Sequence, residues 1–511
     1  MSAANRVLKN TGFLYLKMGI TMFISLYTTR LILNSLGASD FGIFNIVGGA
    51  IAMLGFINGS MAAATQRYMS YAEGEGNERK KILIFNNSVL LHVAISIFVV
   101  ILLEIAGLFF FNGILSIPHD RIVSAKIIYH CAVIATMFTI QAVPYDAVIN
   151  AHENMLYYAV IGIFESLLKL AAAIIVVYTM SDKLIVYGVL MALISFLMRI
   201  IMMVYCRSKY KECRISFRCN YNCSLVMEMG RFAGWNALSS VTSVATQYGQ
   251  GILLNHFFGT IVNAAQGITN QISGQFGALS TNAMKALNPV IVKSAGAHDY
   301  EKMYKGSRLG SKILFFITSV CFLPILTNLK SVLCFWLVEI PDYTYIFVSL
   351  YLIVNIIDTV SISLPTAING VGKIKGYQLS ITLCNGLPLT VCLFLFYFGY
   401  PPFTIYILML FASMCKLASR IYFANRVCGF SLYDMLCDDV VRTFFPFIVG
   451  IGMAFVFNEY IMPGNGVITT IIQIIENVFV YSILFCILGF KYEDRRYFID
   501  VITGIVRLKK H

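Results

Sequence analysis

Residues 83–111 read LIFNNSVLLHVAISIFVVILLEIAGLFFF, with Glu104 the single charged side chain in the stretch. A helix crosses the hydrocarbon core of a bilayer with roughly 20 apolar residues, at about 1.5 Å of rise each. This stretch is longer than that. Comparable runs lie near 12–34, 41–65, 122–148, 155–180 and 184–206. Others lie near 230–256, 261–287, 309–338, 343–369, 376–398 and 402–426, and two more near 440–458 and 467–490 close the chain. Lipid supplies no partners for backbone polar groups, so spans of this length must be helical. The expected fold is all-α, a polytopic membrane protein of about fourteen transmembrane helices.

Composition agrees with that reading. Of 511 residues, 58% are hydrophobic and 12% charged, and mean hydropathy is +0.77. A soluble domain is about 25% charged, and a disordered chain is poorer still in apolar residues, so both classes are excluded. The net charge of +13 points to no nucleic acid, because Lys and Arg gathered in cytoplasmic loops are what orients a polytopic protein. Arg6 and Lys9 precede the first span with no small-residue cleavage site, so no removable signal peptide is expected.

The loops alternate in charge. Those after even-numbered spans carry Arg67, Arg79, Lys80 and Lys81, then Arg207, Lys209, Lys211, Arg214 and Arg218, then Lys293, Lys302, Lys305 and Arg308, then Lys373 and Lys375. Those after odd-numbered spans hold Asp40, Asp120, Asp182, Glu339, Asp342 and Glu459, with few cations beyond Arg121, Lys183 and Lys330. Both termini are therefore expected in the cytoplasm. Cys213, Cys219 and Cys223 sit in the most basic loop, on the reducing side and without a His to complete a zinc set, so no metal site is expected there.

The two six-span series repeat at a shift near 220. Leu36-Gly37 is answered by Phe258-Gly259, Gly74 by Gly296, Asn77 by Asp299, Ile117-Pro118 by Ile340-Pro341 and Ile149-Asn150 by Ile368-Asn369. Six spans is an even number, so the second copy enters the membrane in the orientation of the first. Two parallel lobes with substrate between them are expected. The boundaries are 1–222 for the first lobe, 223–432 for the second, and 433–511 for a C-terminal helix pair with a basic tail.

Several spans carry polar stripes. Lys17, Thr21, Ser25 and Thr28 share one face of span one, with Arg30 near its outer end. Asn263, Gln266, Asn270, Ser273, Gly277, Thr281 and Lys285 recur at steps of three and four down span eight, and span seven holds Asn236, Ser239, Ser240, Ser243, Thr246, Gln247 and Gln250. Such stripes either let helices pack closely or line a wet cavity. Glu165 and Lys169 are spaced to neutralise each other. Lys416 and Arg420 on span twelve either face a cavity or reach inward to the interface.

The segment LNSLGASDFGIFNIVGG (33–49), with ATQRYMS (64–70) and GEGN (74–77), resembles the polysaccharide-exporter branch of the multidrug/oligosaccharidyl-lipid/polysaccharide (MOP) exporter superfamily, whose members include O-antigen and capsule repeat-unit flippases. The resemblance implies alternating access across the bacterial inner membrane and a cargo with a polyprenyl diphosphate tail and an oligosaccharide head. Membrane lipids, a polysaccharide polymerase and glycosyltransferases are the other partners it implies. For such a cargo Lys17, Arg30 and Lys285 are the candidate cations for the diphosphate. Gln266, Asn270, Asn236 and Gln247 are candidates for the sugars, since amides both donate and accept.

Moving cargo uphill needs an energy source, and the sequence has no G-x-x-x-x-G-K-[ST] phosphate loop, so ATP hydrolysis by this chain is not expected. Asp358 and Asp146 are the candidate carboxylates for a coupling Na+ or H+, or else salt-bridge partners, with Glu104 and Glu476 behind them. No cofactor is expected. An enzyme is a poor reading too, because no paired carboxylates, metal set or nucleophile triad stands out and the outer loops are short. The alternative function is a cation-coupled multidrug antiporter of the same superfamily, for which an acidic or aromatic cavity is expected. Pro144, Pro365 and Pro388 are candidate bends.

Overall fold

The computed structural model describes residues 3–52, 54–111, 118–214, 222–337, 340–464 and 466–491, and regular structure there is entirely helical. The chain divides into two compact units. The N-terminal unit, Lys9–Ala237, contains most of α1 (Ala3–Ala52), then α2 (Gly55–Glu75), α3 (Glu78–Phe109), α4 (Ile122–Ala151), α5 (Met155–Tyr178), α6 (Lys183–Lys209) and the first turns of α7 (Cys223–Gly296). The C-terminal unit runs from Leu238 onward and takes in the start of α1. It holds the rest of α7, then α8 (Tyr300–Thr327), α9 (Leu329–Trp336), α10 (Thr344–Thr359), α11 (Leu364–Val371), α12 (Lys375–Tyr397), α13 (Thr404–Cys428), α14 (Arg442–Val456) and α15 (Val467–Leu488).

Among the described residues ten helices are long and apolar enough to cross a membrane, eleven if the bent pair α10–α11 is one span. Fourteen were expected, and the shortfall has physical causes. Run 41–65 is split between α1 and α2 by a turn in which Leu54 N donates to Ile51 O and Ile57 N to Leu54 O, both at 3.1 Å. Runs 230–256 and 261–287 are helical but crowded with Ser, Thr, Asn and Gln. Pro365 marks the start of α11, after a break that bends the span by 43°, whereas Pro144 and Pro388 lie inside unbroken α4 and α12.

The sequence repeat reappears as a repeat of backbone geometry. Gly37 (φ 76°, ψ 168°) kinks α1 and Gly259 (φ 80°, ψ −171°) kinks α7, 222 positions later. A side chain at that combination of angles is strained. At the same shift Gly76 (φ 68°) answers His298 (φ 56°), and each precedes a helix cap. Asn77 Oδ1 accepts from Lys80 N and Asp299 Oδ1 from Lys302 N, both at 3.0 Å. Glu153 (φ 55°) and Gly372 (φ 94°) follow the Ile149-Asn150 and Ile368-Asn369 pairs in the same way. Gly37→Ala and Gly259→Ala are each expected to cost about 1–3 kcal/mol, read as a lower thermal midpoint of the purified chain. The same change at Gly12, in regular helix with open space around it, serves as the control.

The division between units falls inside α7 rather than in the loop before it, because the first turns of α7 are tied to the N-terminal unit. Tyr68 donates to Glu228 Oε1 at 2.8 Å, Arg67 lies over the Tyr68 and Phe232 rings, and Asn222 N donates to Asn87 Oδ1 at 3.0 Å. In the C-terminal unit, α14 and α15 join α8 and α10 in one aromatic core built on Phe315, Phe322, Phe447, Tyr481 and Phe485. The Tyr481 hydroxyl lies 2.6 Å from Ser319 Oγ inside it.

Charges that are scattered along the odd-numbered loops converge in space. Arg121 holds Asp40 through Nε at 2.8 Å and Asp182 through Nη1 at 3.0 Å, and Ser124 Oγ donates to Asp182 at 2.7 Å. Asp182 also caps α6 by accepting from Leu184 N at 3.0 Å. Burial alone raises the Asp182 carboxyl, but the hydrogen bonds from Ser124 and Arg121 outweigh it and hold the group below the usual carboxylate range. A depressed carboxylate stabilises the fold above its unfolded pKa, about 3.9, and that stabilisation disappears as pH falls through the folded value. The thermal midpoint is therefore expected to drop below about pH 4, and Asp182→Asn to flatten that acid limb.

Candidate functional site

Each unit holds a recess of its own with polar side chains on its walls. In the N-terminal unit a recess of about 230 Å3 lies among α1, α4, α5 and α6, with Lys17, Asp146, Tyr158, Glu165, Ser195 and Arg199 on its walls. Lys17 Nζ sits 4.1 Å from the centre of the Tyr158 ring. Its stem crosses α5 at Gly162, where a Cβ would lie 2.1 Å from Lys17 Cε. Glycine at 162 is thus what lets the ammonium reach the recess. Glu165 and Lys169 form the i,i+4 pair expected of them, at 2.6 Å.

In the C-terminal unit a recess of about 260 Å3 is lined by Ser243, Gln247 and Gln250 before the α7 kink and by Asn270 and Ser273 after it. Tyr351, Asn355 and Asp358 of α10, Asn385 of α12 and Lys416 of α13 complete the wall. The lining is cross-linked: Asn385 Nδ2 donates to Ser243 Oγ at 2.8 Å, Thr246 to Asn385 O at 2.9 Å, and Ser273 to Tyr351 at 2.8 Å. Hydroxyls and carboxamides dominate, the set that suits a ligand rich in hydroxyls.

At one edge of this recess the break after α10 is closed by charge. A helix C-terminus leaves carbonyls without partners and carries partial negative charge. Arg420 Nη1 donates to Asp358 O at 2.8 Å and to Ser361 Oγ at 3.1 Å, and Nη2 lies 3.4 Å from Asp358 Oδ1. Lys416 Nζ pairs with Asp358 Oδ2 at 2.8 Å. Lys416 and Arg420 therefore turn toward α10, and two cations hold one carboxylate.

The candidates separate accordingly. Lys17 and Asp146 share the first recess; Gln247, Asn270 and Asp358 share the second. Arg30, Lys285, Gln266 and Asn236 line neither. Arg30 is exposed and Lys285 half-buried. Gln266 is buried beside Gly251, and Asn236 is buried and donates to Phe232 O at 3.2 Å. Thr21 and Thr28 bond carbonyls of their own helix. Cys213 is buried and Cys223 exposed, while Cys219 lies outside the described residues.

The reading of the sequence passed over Arg199, Tyr157 and Tyr158. Arg199 carries a signal that the rule used for Lys17 finds: a charge deep within an apolar run, here 184–206. The tyrosines carry none, since aromatic residues are common in any span.

Fold and recesses together define a multi-pass helical membrane protein of two repeated units. Solved structures share that fold. A MATE protein in its straight conformation matches with a TM-score of 0.70 at 11% identity, covering 84% of this chain and 97% of its own. A MOP superfamily transporter from Pyrococcus furiosus matches at 0.70 and 10%, covering 84% and 98%, and a Vibrio cholerae MATE transporter in its bent form at 0.67 and 16%, covering 84% and 97%. No curated protein matches the sequence. The family described as polysaccharide biosynthesis protein matches residues 7–295, more than half of the chain. The chain belongs to that family, and its fold is the one these solved transporters share.

Proposed function

We propose that this transporter is a flippase. It carries a polyprenyl-diphosphate-linked oligosaccharide, an O-antigen or capsule repeat unit, from the cytoplasmic to the outer face of the bacterial inner membrane by alternating access. Both termini are cytoplasmic in this reading, and glycosyltransferases and a polymerase act before and after it. The observation that carries the proposal is the lining of the C-terminal recess: Gln247, Gln250, Asn270, Asn355 and Asn385 with Ser243 and Ser273, inside a unit otherwise packed with aliphatic and aromatic side chains. Amides and hydroxyls at bilayer depth are costly unless water or a polar ligand meets them. Sugar hydroxyls are such a ligand, while an organic cation gains little from amides. Lys17, with Arg30 and Lys285 as further cations, supplies the charge a diphosphate needs.

An ion gradient drives the cycle in this proposal, with Asp146 and Asp358 as its carboxylates. The two neighbouring cations oppose either ion at Asp358, but a proton adds to a carboxylate oxygen without the cage of oxygen ligands that Na+ needs, so a proton is the coupling ion in this reading, bound as Lys416 leaves Asp358. The test is an outer-face assay of labelled lipid-linked glycan in proteoliposomes, with sodium and proton gradients collapsed separately. Transfer that stops only when the proton gradient is lost supports both parts. Transfer of organic cations in place of the glycan makes the chain an antiporter instead.

A further inference from the structure

In the C-terminal unit the break after α10 faces the π-helical segment Asp434–Val441 that leads into α14. Departures of that kind from regular α-helix are uncommon and recur at functional sites. Between them lies a cavity of about 10 Å3, lined by Ser307 and Arg308 of α8, Val360 and Ser361 of the break, and Met435 and Asp439 of the π-helical segment.

Ser307 Oγ and Asp439 Oδ1, both from residues on this wall, are buried without a hydrogen-bond partner among the described residues. Asp439 is only 9% exposed, and its other oxygen, Oδ2, accepts from the Tyr304 hydroxyl at 3.2 Å. A carboxyl oxygen taken out of water and given no partner is costly. The nearby hydroxyls cannot supply one directly. Ser363 Oγ donates its single hydrogen to Ser307 O at 2.5 Å, so the hydrogen in its 2.6 Å contact with Ser311 Oγ comes from Ser311. Both are spent. Ser361 differs: its Oγ accepts from Arg420 Nη1 at 3.1 Å, which leaves its own hydrogen for a further acceptor.

Size decides the ligand. A buried water molecule needs roughly 10–15 Å3 and two to four polar partners. The cavity has that room, and Asp439 Oδ1, Ser307 Oγ and the Ser361 hydroxyl are partners of the right kind. Any organic group is too large. A metal ion fits poorly, because Arg308 stands on the same wall.

We infer that this cavity is a binding site for one water molecule, which pairs with Asp439 Oδ1, donates to Ser307 Oγ and accepts from Ser361 Oγ. The site serves the carboxyl in either state: ionised, Oδ1 accepts from the water, and protonated, it donates to the water. The water also completes a chain. Asp358 holds Arg420, Arg420 donates to Ser361, and Ser361 reaches Asp439 through the water. The clasp at the α10 break is thereby joined by hydrogen bonds to the segment that begins the C-terminal helix pair, in addition to the aromatic core that α14 and α15 share with α8 and α10. The inference goes beyond the flippase reading and holds whatever the cargo is.

The test is an electron cryo-microscopy map of the full chain in nanodiscs, at a resolution that shows ordered water elsewhere in the protein. One peak is expected in the cavity, at about 2.6–3.2 Å from both Asp439 Oδ1 and Ser307 Oγ. A map that shows ordered water elsewhere and none here overturns the site. Val360→Ile supplies an independent readout whose sign discriminates. It adds one methylene to an apolar side chain of the wall and leaves every polar partner in place. Displacing a water held by several polar groups is unfavourable, so the thermal midpoint of the variant is expected to fall below that of the wild type. Filling a dry space of the same size is favourable, so a raised midpoint overturns the inference. The wild-type map needs no variant to fold, and neither measurement depends on transport.

Discussion

Gly162→Val is expected to slow transport by about tenfold or more in a protein that still folds and inserts. The added carbons fall where the Lys17 stem now runs, with the first of them 2.1 Å from Lys17 Cε. A lysine side chain is long and flexible, so the clash is relieved by moving Lys17 out of the recess rather than by parting α1 from α5. The stability cost is small, within about 1 kcal/mol. Function loses the ammonium together with its contact with the Tyr158 ring at 4.1 Å. A charge-assisted hydrogen bond to the cargo is worth about 1.5–3 kcal/mol, a tenfold to more than hundredfold loss of rate. Lys17→Ala is expected to match it. Flipping rates and thermal midpoints measured on both variants decide the matter: a Gly162→Val protein that transports normally would show that Lys17 is not needed in the recess.

The largest stability effect belongs to Asp358. Removing one partner of an ion pair that water barely reaches leaves the other charges without compensation, which typically costs about 3–5 kcal/mol. Asp358 keeps 29% of its side chain exposed, so about 2–4 kcal/mol is the expected cost of Asp358→Ala. Lys416 then faces the recess unpaired, while Arg420 retains the carbonyl of residue 358 and Ser361 Oγ. Asp358→Leu combined with Lys416→Met is expected to recover most of the stability, because it removes the charge and its counter-charge together. Transport by the double variant, if Asp358 carries the proton, no longer responds to the proton gradient. Equal midpoints for the wild type and Asp358→Ala would contradict the structural part of this account.

Much of the fold was legible because lipid is an unforgiving solvent. Run length alone located α3, α5 and α6, and the pairing of Gly37 with Gly259 was visible as a sequence repeat before their matching angles gave it a cause. The division between α1 and α2 was not legible, since nothing in Ala52-Met53-Leu54-Gly55 distinguishes a turn from a helical stretch of small and apolar residues. The clasp of Asp40, Arg121 and Asp182 was hidden for another reason. Its members stand 81 and 61 residues apart in the chain, and pairing over such separations leaves no local pattern. Lys17 could be nominated from span one, but its partners Tyr158 and Gly162 belong to span five, and periodicity along one helix is silent about its neighbours. Asp358 was recognisable as unusual. That two cations on α13 hold it follows only from the break after α10, which the bend shows and the sequence does not.

The central claim is that this chain moves an anionic lipid carrying a sugar head, and one measurement addresses it most directly. Purified protein is reconstituted into sealed proteoliposomes with labelled lipid-linked oligosaccharide, a proton gradient is imposed, and the label accessible to an impermeant reagent on the opposite face is followed in time. Protein-dependent transfer is predicted that stops when the gradient is discharged and slows by about tenfold or more in Lys17→Ala. No transfer above protein-free vesicles, with organic cations moving in its place, would contradict it.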